Sequence, residues 1–90
     1  MTTSELIVDL YILGFGGRCV KDFPFMYVLD GKDNVVASVD MLNFGVMDTT
    51  FKLFECLKAY EKTRLLRLLY LYASTPLEER LEEWNDEDGY

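Results

Sequence analysis

Ninety residues hold nine Lys plus Arg against sixteen Asp plus Glu, a formal net charge of −7, and half of the chain is apolar. This length predicts one domain, in which folding hides about two-thirds of the unfolded chain's surface, enough for a single modest core. The apolar content excludes disorder for the body of the chain. The absence of histidine removes the commonest general base and the commonest zinc ligand.

Thr2 with Glu5 three positions later reads as a capping box, and Leu6, Ile7, Leu10 and Tyr11 recur at helical spacing until Gly14. A short first helix is expected from about Thr3 to Leu13. Gly14-Phe15-Gly16-Gly17 reads as a turn, and Arg18–Val20 and Phe25–Leu29 read as strands. Asp30-Gly31-Lys32-Asp33-Asn34 is dense in residues that tolerate positive φ and precedes the β-branched Val35–Val39, the signature of a hairpin. A further short strand is expected near Phe44–Met47, weakened by Gly45, with a change of direction at Asp48–Thr50. Phe54, Leu57 and Ala59 suggest a helical turn, and Thr63–Ser74 is a run of strong helix formers. Thr75 as N-cap, Pro76 at the first helical position and Glu78 behind it predict a last helix from Pro76 to Trp84.

The first residues carry no basic segment and Asp9 interrupts the apolar stretch Leu6–Leu13, so no signal peptide is expected. The run Leu65–Ala73 contains Arg67 and falls short of the roughly 20 residues of a membrane span. Cys19 and Cys56 are expected to be reduced, buried structural thiols of a cytoplasmic protein, without a histidine to activate either as a nucleophile. Gly14–Gly17 closes a helix and opens a strand, the reverse of a phosphate-binding loop, and Asp30–Asn34 lacks the ligand spacing of a calcium loop. No cofactor, metal or catalytic residue is expected. Phe15, Phe23, Phe25, Tyr27, Phe44 and Phe51 are expected to fill the sheet's packed face.

Charge is polarised along the chain. Residues 1–50 carry a net −4, residues 51–74 a net +3, and residues 75–90 a net −6. The acids Glu78, Glu79, Glu82, Glu83, Asp86, Glu87 and Asp88 follow directly on Lys58, Lys62, Arg64 and Arg67. Either the acidic segment folds back along the basic helix, where exposed pairs contribute about 0–1 kcal/mol each, or it engages the basic surface of a partner, including one that binds nucleic acid. In the second case Trp84 is the aromatic anchor. Direct nucleic-acid binding is disfavoured by the overall charge. The run Leu65–Ala73 is apolar around most of a helix and must be covered on nearly every side. Leu65, Leu68, Leu69, Leu71 and Tyr72 therefore form either the centre of the monomer or the seam of a homodimer.

The stretches Tyr27–Val39, Met47-Asp48-Thr49 and Tyr72-Ala73-Ser74-Thr75-Pro76-Leu77-Glu78-Glu79-Arg80 together resemble a pattern in small acidic proteins of phages and prophages of Gram-positive bacteria. The resemblance covers most of residues 3–80, while Met41–Gly45 and the apolar run from Leu65 depart from it. It implies a short helix before a meander and a phage origin, in a group largely without assigned activity. Inhibitors of CRISPR nucleases are similar in size and charge, an analogy only.

The expectation is thus an α+β domain over 1–84 with an acidic tail over 85–90. It has a short N-terminal helix, a three- or four-stranded antiparallel meander, and two or three C-terminal helices packed on one sheet face. Its expected function is non-enzymatic: binding and inhibition of a host defence protein inside the bacterial cell, without membrane or direct nucleic-acid contact. The alternative is a self-associating structural or regulatory module.

Overall fold

The first helix, α1 (Thr3–Ile12), begins where the sequence places it: Thr2 Oγ1 accepts from the Glu5 N–H at 3.1 Å, and Glu5 Oε1 accepts from the Thr2 N–H at 2.9 Å. A computed structural model describes residues 1–20 and 23–80. At the other end of α1, Gly14 takes φ +92°, and its N–H and that of Phe15 return to the carbonyls of Tyr11 and Leu10. This double closure satisfies carbonyls that the helix end would otherwise orphan, and it turns Phe15 back onto buried Leu10.

The chain then enters a four-stranded antiparallel meander in the order β1 (Gly16–Cys19), β2 (Phe25–Leu29), β3 (Val35–Asp40), β4 (Met47–Asp48). The β2–β3 hairpin is built as its turn residues dictate. Asp30 Oδ1 accepts from the N–H groups of Lys32 and Asn34 at 2.8 and 3.0 Å, and Asp33 takes φ +63°, which aspartate tolerates. A register shift at Val28/Leu29 follows, pairing Leu29 with Val35.

The strand expected near Phe44–Met47 starts later, at Met47, because the Asp40 carboxylate organises the preceding residues into a loop. Its Oδ1 accepts from the N–H groups of Leu42 and Asn43, both at 2.9 Å, and Gly45 follows at φ +76°. Phe44 sits in that loop and is exposed, as is Phe23 before β2, so neither belongs to the sheet core expected of them. Phe15 is buried, and Phe25, Tyr27 and Phe51 are half-buried.

Beyond the sheet lie α2 (Lys52–Glu55), α3 (Ala59–Ala73) and α4 (Leu77–Arg80). α3 starts four residues before the expected Thr63, since Glu61 Oε1 accepts from the Lys58 N–H at 3.0 Å and starts the helix there. The core joins Leu6 and Leu10 of α1, Met26 and Val28 of β2, Val36, Ala37 and Val39 of β3, Phe54 of α2, and Leu65, Leu69 and Tyr72 of α3. The architecture is α+β: an N-terminal helix, a four-stranded antiparallel sheet and C-terminal helices.

Candidate functional site

The acidic segment expected to meet a partner begins on α4. Glu78 and Glu79 are exposed there, while Glu82, Glu83, Trp84, Asp86, Glu87 and Asp88 lie outside the described residues, as does the tail 85–90. What holds α4 in place is Arg80, whose side chain is completely buried. Its Nε donates to the Thr75 carbonyl at 3.0 Å, Nη1 to the Asp40 carbonyl at 2.8 Å and Nη2 to the Ala73 carbonyl at 2.9 Å. The guanidinium also lies 4.4 Å from the centre of the Tyr72 ring. A buried cation is costly unless every donor direction is answered. Here the answer comes from three backbone carbonyls, an aromatic face and the negative end of the α3 dipole.

Arg80 completes a full accounting of the α3 terminus. The Tyr70 carbonyl accepts from Ser74 Oγ at 2.7 Å, that of Leu71 from Thr75 Oγ1 at 2.7 Å, and that of Tyr72 from the Thr75 N–H at 3.0 Å. The Ala73 carbonyl accepts from both Arg80 and the Gly45 N–H. All four carbonyls that a helix end leaves open are therefore satisfied. Thr75, expected as the side-chain cap of α4, is instead spent on α3 and on the Met1 amine, which donates to its Oγ1 at 3.2 Å. Tyr72 reaches Thr3 of α1 through a 2.7 Å hydroxyl–hydroxyl bond. The segment Tyr72–Arg80 is thus a structural clasp that fixes α4 to the domain.

Asp40 supports the same junction from the sheet. Partial burial pushes its carboxyl up, but the Asn43 amide, the Leu42 and Asn43 N–H groups and the charge of Arg80 together hold it below the usual aspartate range. Neither Asp40 nor Arg80 was marked by the sequence as a pair. The available signal was that Arg80 is the only base after residue 74.

The proposed dimer seam fares differently. Leu65, Leu68, Leu69 and Tyr72 are buried within their own chain, because α1 and the sheet cover that side of α3, and only Leu71 remains exposed. Other apolar side chains stay exposed nearby. Val8 and Ile12 of α1 are 56% and 73% exposed, and beside them a groove of about 280 Å³ runs between the two helices, lined by Asp9, Ile12, Leu13, Arg64, Arg67, Leu68 and Leu71. Its lining is mostly apolar, with Asp9, Arg64 and Arg67 as its charged members.

Cys19 and Cys56 are free, but both are exposed rather than buried, since each lies at the end of its element and not under a helix. Partial burial pushes the Cys19 thiol up, away from the thiolate form. No group of three or more metal-ligating side chains gathers among the described residues, and no described helix is long and apolar enough to cross a membrane. No protein-family model matches the chain, and no curated protein or solved structure matches it either.

Proposed function

We propose that the chain is a non-enzymatic accessory protein of phage or prophage origin that binds a host defence protein inside the bacterial cell, its acidic C-terminal segment occupying a basic site. The observation that carries this reading is the clasp at Arg80: it fixes α4 to the domain with Glu78 and Glu79 exposed at the start of a segment of net charge −6. A rigid base lowers the ordering cost of presenting such a segment, and one-signed charge speeds encounter with a basic partner. The basic target is of the kind that normally holds nucleic acid, so the protein competes with nucleic acid and does not bind it. The small size, the acidity and the resemblance of Tyr27–Val39 and Tyr72–Arg80 to phage sequences support the origin.

The test is affinity capture from a bacterial host lysate at low and high salt after nuclease treatment. Wild type is expected to retain one host protein stoichiometrically at low salt and to release it at high salt. The triple variant Glu79→Lys, Glu82→Lys, Glu83→Lys is expected to lose that protein while keeping the wild-type circular dichroism spectrum. Undiminished capture by the triple variant overturns the reading.

A further inference from the structure

The α1–α3 face carries its own pattern of charge and apolar side chains. α1 bears Glu5 and Asp9 and no base, whereas α3 bears Lys62, Arg64 and Arg67 against Glu61 alone. Ile12 and Leu71 line the groove with Asp9, Arg64 and Arg67, Val8 lies one turn before Ile12 on α1, and all three apolar side chains are exposed. Exposed apolar side chains gathered on one face mark an interaction surface. The arrangement of charge says which partner fits. A partner of uniform sign would meet a like charge on one of the two helices.

We propose that the partner is a second copy of this chain, related by a two-fold axis, with α1 of each copy against α3 of the other. A two-fold contact repeats every pairing. Asp9 of one copy then faces Arg64 and Arg67 of the other, and the reciprocal pair forms at the opposite end. The apolar side chains Val8, Ile12 and Leu71 meet across the middle. This inference uses residues on neither the clasp nor the acidic segment, so it stands or falls independently of the inhibitor reading.

Sedimentation equilibrium of the full chain from micromolar to near-millimolar concentration tests it. Wild type is expected to pass from monomer to dimer. Asp9→Arg and the double variant Arg64→Asp, Arg67→Asp each place like charges across both symmetry-related contacts and are expected to raise the dimer dissociation constant about tenfold or more. Mixed in equal amounts, the two variants restore opposite charges at both contacts, so heterodimers are expected at near wild-type strength. Ile12→Ser, at an exposed position that cannot unfold the core, is expected to weaken the dimer without rescue by either charge variant. Wild type that stays monomeric throughout overturns the proposal, as does a mixture that associates no better than each variant alone.

Discussion

Arg80 concentrates at one residue what several pairs usually share. Arg80→Ala leaves the Asp40, Ala73 and Thr75 carbonyls without its donors and opens a void beside Tyr72, and losses of this kind cost about 3 kcal/mol or more. For a domain of this size that corresponds to a fall in Tm of more than about 10 °C by calorimetry. Arg80→Lys keeps the charge but loses the planar fork that reaches three carbonyls at once, and is expected to recover less than half of the loss. An unchanged Tm for Arg80→Ala would show that the clasp is not needed. Asp40 adds a pH dependence. In the unfolded chain its carboxyl titrates near the ordinary 3.8, and in the folded chain lower. Its stabilising contribution is therefore complete above 3.8 and is lost as pH falls through the folded value. Asp30 and Asp48 are held low in the same sense, the first by the N–H groups of Asn34 and Lys32 and the second by the hydroxyl and N–H of Thr50. Urea midpoints are expected to hold down to about pH 4 and to drop below it, with a shallower drop for Asp40→Asn.

At the scale of elements, the close seat of α1 on β1 depends on Gly17. A Cβ built there would stand 2.9 Å from Met26 Sδ and 3.5 Å from both Ile7 Cγ1 and Leu10 Cδ1. Met26 ends in a flexible thioether, so Gly17→Ala is expected to cost only about 1 kcal/mol, whereas the branches of Gly17→Val meet Ile7 and Leu10 and are expected to cost about 2–3 kcal/mol. Denaturant titration reads the difference; equal stability of the two variants would place α1 farther from the strand. The elements themselves were largely legible, for local reasons. The capping box at Thr2 and Glu5, the left-handed Gly14 and the Asp30–Asn34 turn each satisfy backbone groups within a few residues, so a short window of sequence contains the whole interaction. β4 and α3 are less legible although their determinants are local too, because Asp40 and Glu61 act on the N–H groups of Leu42 and Lys58, residue types that announce neither a loop nor a helix cap. The start of β4 depends on Asp40 capping a loop ahead of it, and that of α3 on a Glu61 carboxylate turned back to Lys58.

Across the whole molecule, the chain carries two regions of different character: an acidic segment that begins with Glu78 and Glu79 on α4, and a mixed-charge, apolar face between α1 and α3. Binding through the first is expected to weaken steeply with ionic strength, because its net charge is of one sign, whereas association through the second is expected to depend on salt less, since apolar burial carries part of it. Capture and sedimentation at matched salt concentrations distinguish them. The α+β class, the hairpin, the helix ends near residues 3 and 14, and the polarity of charge are legible in the chain alone, since these follow from local backbone bonding and from counting. Tertiary packing settled which apolar residues are spent. Burying Leu65, Leu68, Leu69 and Tyr72 while exposing Val8, Ile12, Phe23 and Phe44 depends on which elements meet, and periodicity does not specify that. It also decided the role of Arg80, whose hydrogen bonds reach Asp40, 40 residues away in the chain. A contact of that range leaves no trace in local sequence, because its partners are backbone carbonyls, which every residue carries alike.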